Sequence, residues 1–307
     1  MSDEIYPGYT QAELDRAYTQ KEWAANMDAI LKRWSASAPE AKAGHSGYAA
    51  FSYGPHPDER IDVFPADGSL IHFHVHGGAW RGQAKEDSAF LAPSMAAAGV
   101  TLVLPEFSKL PGVRMPILLE QLKRALAWTH QRFVAEGDAT GIVISGHSSG
   151  AHLAALLVAE NGAEELVPAE ALRALVCISG SYDLEPVMLS LRRSYIDLSP
   201  DEITALSPIH RIADMRLAAH LFYGADESPE FRRQACAFAT ALEPAGKLAG
   251  CTEIANVNHF EILDVLADPS SEIGRHVHAI LATSQISTDV SFRAARGADA
   301  TLGANGS

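Results

Sequence analysis

A mostly parallel α/β sheet covered by helices on both faces is the fold this chain predicts, and three observations predict it. Strand-length apolar runs alternate with helix-length periodic segments from about residue 71 to residue 267. The pentad Gly146-His147-Ser148-Ser149-Gly150 lies between one such run and an alanine-rich helical stretch, so strand, sharp turn and helix follow one another directly. The segments that carry reactive side chains all fall after strands, at the sheet edge where open α/β folds bind their ligands. With 307 residues, 47% of them hydrophobic, the chain can bury one large core as a single domain over 1–283.

The elements follow in order. Residues 10–35 read as an amphipathic helix, because Leu14, Ala17, Tyr18, Trp23, Met27, Ile30, Leu31 and Trp34 recur at spacings of three to five. Two short strands, 47–53 and 60–64, flank the Gly54-Pro55-His56-Pro57 turn, and Asp67-Gly68 leads into the strand of Ile71 to His76. Strands are expected at 100–104, 141–145, 174–179, 217–223 and 251–255, and helices at 116–133, 151–159, 229–242 and 261–267. Residues 180–216 exceed an ordinary connection and are expected to form a small helical cap above the site. The stretch 284–307, rich in Ala, Gly, Ser and Thr, is expected to be a flexible tail.

Ser148 is the candidate nucleophile, since glycines two residues to either side allow the close turn that presents a serine between strand and helix. Acyl transfer also needs two N–H donors for the developing oxyanion. Ser149 supplies one, and Gly78 or Ala79, in the Gly77-Gly78 turn after His76, supplies the other. His259, in the loop Asn256-Val257-Asn258-His259-Phe260, is the candidate base, and activity is expected to fall as acid protonates it. The acid comes from the turn after the strand 217–223, where Glu227 is favoured over its neighbour Asp226. Its role is to hold one imidazole tautomer. Trp80 is the candidate substrate contact, with Phe107, Tyr182 and Tyr195 as further aromatic residues for an apolar pocket.

Composition narrows the partners. A net charge of −14 argues against nucleic acid and against anionic membranes, and leaves a small-molecule substrate. Cys177, Cys236 and Cys251 are odd in number and widely spaced, as expected for reduced thiols in a cytoplasmic protein. Residues 1–9 lack the basic and apolar regions of a signal peptide, and no run has the length of a membrane span. The helix at 10–35 is suited to core packing, to covering a pocket mouth, or to a homodimer contact.

With these segments the chain resembles the kynurenine formamidase (arylformamidase) branch of the α/β-hydrolases, near the hormone-sensitive-lipase-like carboxylesterases. The likeness spans roughly residues 6 to 270. It also rests on Glu13-Leu14-Asp15-Arg16-Ala17-Tyr18, Ser179-Gly180-Ser181-Tyr182-Asp183-Leu184, Ser207-Pro208-Ile209 and Ser228-Pro229-Glu230-Phe231. It implies an α/β-hydrolase fold with Ser148 as nucleophile, His259 as base and Glu227 as acid, acting on a small acyl amide or ester without metal or organic cofactor. The chain departs from the family at Glu227, where aspartate is usual. It also departs at Ala79, where many members have an aromatic residue, and at Phe107-Ser108, which replaces a tyrosine-containing pair.

Two other readings compete. His72, His74 and His76 recur at every second position of one strand, a geometry that can grip zinc, although no further ligand is evident nearby. A non-catalytic binding protein of the same fold is the other, and such a protein usually lacks one of the three reactive residues.

Overall fold

The computed structural model describes residues 4–159, 166–271, 274–275 and 277–282. The segment 284–307, expected to be a tail, lies outside them. The chain opens with a small hairpin, β1 (Glu4–Tyr6) and β2 (Tyr9–Thr10), followed by α1 (Gln11–Ala17) and α2 (Met27–Gly44). The sheet and its helices then follow as β3 (Ala49–Ser52), β4 (Arg60–Phe64), β5 (Leu70–Val75), α3 (Ala92–Ala97), β6 (Val100–Pro105), α4 (Met115–Thr129), β7 (Gly141–His147) and α5 (Ser149–Val158). The remainder is β8 (Leu172–Ile178), α6 (Glu185–Leu189), α7 (Pro200–Ala205), β9 (Ala219–Gly224), α8 (Pro229–Leu242), β10 (Leu248–Ile254) and α9 (Glu261–Ala267).

Among the described residues, eight strands form one sheet in the order β10-β9-β8-β7-β5-β6-β4-β3, with only β3 and β4 antiparallel to their neighbours. The predicted α/β class therefore holds. Side chains alternate between two cores, as the two-residue period of a strand requires. Ile71, Phe73, Ile142 and Ile144 face one core, where α4, α5 and α8 supply Leu118, Leu122, Leu153, Phe231 and Phe238. Leu70, Leu102 and Val143 face the other, where α2, α3 and α9 supply Trp34, Met95, Ile262 and Leu266. Burying both faces leaves the rims of the sheet as the places for chemistry.

The N-terminal helix expected at 10–35 is instead two helices. Thr10 caps the first in a reciprocal box with Glu13, and the chain breaks after Tyr18, whose ring is buried. Trp23 then folds back, its indole N–H donating to Arg16 O at 3.1 Å under the Arg16 guanidinium. The second helix runs on to Gly44 with Pro39 inside it. Apolar periodicity continues through 10–35, but it does not register a turn that local hydrogen bonds stabilise. Residues 180–216 hold α6, α7 and short 3₁₀ turns, and no helix among the described residues is long and apolar enough to cross a membrane.

Candidate active site

Ser148 stands alone between the end of β7 and the start of α5, with φ 57° and ψ −122°. A non-glycine residue held there carries a cost of roughly 1–3 kcal/mol, which the surrounding structure must offset. Its own N–H donates to Ile178 O at 2.8 Å, tying the turn to β8. The flanking glycines are required by close backbone approach. A Cβ on Gly146 would lie 2.2 Å from Gly150 O, and one on Gly150 would lie 2.1 Å from Val75 O.

The three distant residues meet. His259 Nε2 lies 2.9 Å from Ser148 Oγ, and His259 Nδ1 lies 2.9 Å from Glu227 Oε2. All three are buried. The other oxygen of Glu227, Oε1, accepts from Ser179 Oγ at 2.5 Å and from Gly224 N–H at 2.6 Å. Two donors on one oxygen leave the second free to face the imidazole and fix its Nδ1–H tautomer. Asp226, the alternative acid, is exposed.

The glycine turn after β5 has an unusual backbone: Gly78, Ala79 and Trp80 all take positive φ, at 103°, 53° and 61°. Gly78 has no substitute, because a Cβ there would sit 2.2 Å from Gly82 O. Trp80 N–H donates to Ser149 Oγ at 3.1 Å, so this loop is fastened to the residue beside Ser148. Among the described residues, no acceptor engages the N–H of Gly78 or of Ala79, and both residues line the same cavity as Ser148.

Beneath the turn, His76 Nε2 pairs with Glu106 Oε1 at 3.1 Å while its ring stacks on Phe107 at 4.5 Å between centroids. Burial opposes ionisation of Glu106. The His76 contact, the Lys109 charge and the Lys85 N–H outweigh it and hold the carboxyl down at about 2. His147, next to the serine, is buried and contacts His259 O through Nε2 at 2.7 Å. Burial first, then the His259 ring, pushes its pKa down to about 3, so it adds no charge beside His259.

Trp80 corrects a sequence expectation. Its indole is buried away from the cavity and donates to His152 Nδ1 at 3.1 Å, while His152 Nε2 contacts Leu206 O at 2.7 Å. An aromatic residue next to a glycine turn need not face the cavity: this one braces the turn against α5. Phe107 and Tyr182 are likewise core residues, and of the four aromatic candidates Tyr195 alone lines the cavity. His72 and His74 turn inward, where Ser145 Oγ bridges His72 Nε2 at 2.6 Å and His74 Nδ1 at 2.7 Å.

The cavity above Ser148 and His259 measures about 440 Å³. Its walls come from the turn between α1 and α2 and from the start of α2, from the 3₁₀ turn after α6, and from the glycine turn after β5. Sequence reasoning missed Tyr18 and Phe260 as wall residues, and also Gln20, Arg81 and Arg192. Arg81 directly follows the glycine turn, and that adjacency was the available signal. Arg192 lies in no motif.

A family model described as the alpha/beta hydrolase fold matches residues 72–263. Kynurenine formamidase of Salmo salar is 26% identical over 272 residues, which is 83% of this chain and 91% of that protein. Esterase LipQ of Mycobacterium tuberculosis is 29% identical over 252 residues, covering 72% of this chain and 60% of that one. A crystal structure from a Silicibacter species superposes with a TM-score of 0.77 at 25% identity, covering 88% of this chain and 99% of its own. A sheet with this strand order, a family match across more than half the chain, and relatives aligned over most of its length lead to one conclusion: the chain belongs to the α/β-hydrolase family, alongside its formamidases and esterases.

Proposed function

We propose that this protein is a serine hydrolase of arylformamidase type, cleaving a small acyl group from an aryl amine through an acyl-enzyme, with N-formylkynurenine as the representative substrate. The observation that carries the reading is the position of His259, 2.9 Å from both Ser148 Oγ and Glu227 Oε2. In this mechanism Ser148 Oγ attacks the acyl carbon while His259 Nε2 takes its proton, and Glu227 stabilises the imidazolium. The oxyanion accepts from Ser149 N–H and from the N–H of Gly78 or Ala79. His259 then protonates the leaving nitrogen. Water, deprotonated in turn by His259, releases the acid and restores the serine. Residues 180–216 act as the cap, and the α1–α2 arm closes the cavity from the other side.

The amide reading is supported by kynurenine formamidase relatives of similar length and by a pocket of a size suited to a small ligand. Ser148→Ala is expected to lower turnover by about 10⁶-fold and to abolish labelling by a fluorophosphonate probe. The substrate class is tested with N-formylkynurenine, formanilide and short p-nitrophenyl esters. Hydrolysis of the amides supports the proposal. Hydrolysis of esters alone would replace it with a carboxylesterase, the reading that the mycobacterial esterase relative favours.

A further inference from the structure

Arg192 is an unusual residue to find in this cavity wall. It is 5% exposed, and among the described residues no carboxylate lies within ion-pair distance of it. One of its N–H groups donates to Tyr18 O at 3.2 Å. Its guanidinium otherwise rests over aromatic rings, 4.9 Å from the centre of Tyr18 and 5.8 Å from that of Phe231. Aromatic faces offset only part of the cost of burying a cation.

Arg81 lines the same cavity and also has no acidic partner among the described residues, its guanidinium lying 4.2 Å above the Tyr195 ring. The two cations are close enough to repel. Burial first, and the Arg81 charge in addition, push the Arg192 pKa down. Between α1 and α2, Gln20 lines the cavity with both its amide nitrogen and its amide oxygen buried and, among the described residues, without a hydrogen-bond partner. In a chain of net charge −14, two uncompensated guanidiniums in one wall have an anion as their natural complement.

We propose that Arg192 and Arg81, with the Gln20 amide, form a carboxylate-binding subsite in the wall of the Ser148 cavity, and that the substrate is an anionic aryl amide or ester whose leaving group carries that carboxylate. The substrate assignment rests on the serine hydrolase reading, whereas the subsite itself does not. A planar guanidinium matches a carboxylate with paired N–H donors, and a second cation lining the same cavity selects charge over a neutral polar isostere. The subsite would orient the substrate so that its acyl carbon meets Ser148.

The test is binding to Ser148→Ala, which cannot turn substrate over. Titration calorimetry compares 4-(2-formamidophenyl)-4-oxobutanoate with its methyl ester, which differ only in the charged group. The acid is expected to bind roughly ten- to a hundredfold more tightly. Adding Arg81→Gln, an exposed position that leaves the core intact, is expected to collapse most of that ratio, and Arg192→Lys is expected to retain more of it than Arg192→Met. Equal affinity for acid and ester, failure of both to bind, or a ratio untouched by Arg81→Gln would overturn the subsite. Fluorophosphonate labelling of the unaltered protein reports the serine mechanism separately, so either reading can fail while the other stands.

Discussion

The floor and the walls of the cavity are built by different means. In the floor, backbone touches backbone: a methyl group on Gly146, Gly150 or Gly78 would lie about 2 Å from a carbonyl oxygen, and Ser148, Ala79 and Trp80 are held at positive φ. The walls are assembled from side chains on turns and on the first turns of α2, among them Tyr18, Gln20, Leu31, Arg192 and Tyr195. The difference separates two jobs. In the proposed reaction a floor fixed by main-chain geometry would set which bond is attacked and how charge is stabilised, while walls built of side chains would set which molecule arrives.

The largest effect expected from that division is in the floor. Glu227 Oε1 already accepts from two donors, so the amide of Glu227→Gln keeps its oxygen there and turns its NH₂ toward His259 Nδ1. The imidazole must then carry its proton on Nε2, where it cannot accept one from Ser148. Turnover should fall by about 10⁴-fold, whereas the exposed Asp226→Asn should change it little. Steady-state kcat measured on both variants sharpens the comparison. Equal losses would break it.

A smaller effect is expected beneath the floor. Glu106→Gln removes a charged hydrogen bond to His76 and should lower folding stability by about 1–3 kcal/mol. The sign with pH follows from the depressed carboxyl. The contribution of Glu106 is present above its ordinary value of about 4.5 and disappears as pH falls toward about 2. Denaturation curves of protein and variant should therefore converge in that window. A gap that stays constant down to pH 2 would show that the charge is not what stabilises the turn.

The mildest change belongs to the walls. Leu31→Ala trims an apolar contact at the start of α2 and should raise KM several-fold while leaving kcat nearly constant, since it removes binding shared by ground state and transition state. A fall in kcat instead would mean that the wall takes part in positioning the reacting atoms.

The same division decides what could be read in the sequence. Ser148 was legible because Gly-x-Ser-x-Gly between a strand and a helix encodes a backbone constraint, and His259 because it follows the last strand. Glu227 could be favoured but not separated from Asp226, since choosing between adjacent carboxylates requires knowing that Ser179 and Gly224 converge on one of them. Trp80 misled because its role depends on His152, 72 residues away. Glu106 had a signal in its place at the carboxyl end of β6, whereas Arg192 had none, its meaning arising only when residues 18 and 231 fold over it. The single helix expected at 10–35 failed for the related reason that periodicity reports burial and does not report turns.

The arm that roofs the cavity is moored beside His259. Asn258 Nδ2 donates to Asn26 Oδ1 at 2.9 Å, Asn26 Nδ2 donates to Glu261 Oε1 at 2.7 Å, and the Trp34 indole donates to Asp264 Oδ1 at 2.7 Å. Residue 258 is the immediate neighbour of His259. The arm and the loop that carries the imidazole are thus tied by side-chain hydrogen bonds, so in the proposed reaction a displacement of the arm would be passed to His259 before it reached the rest of the sheet.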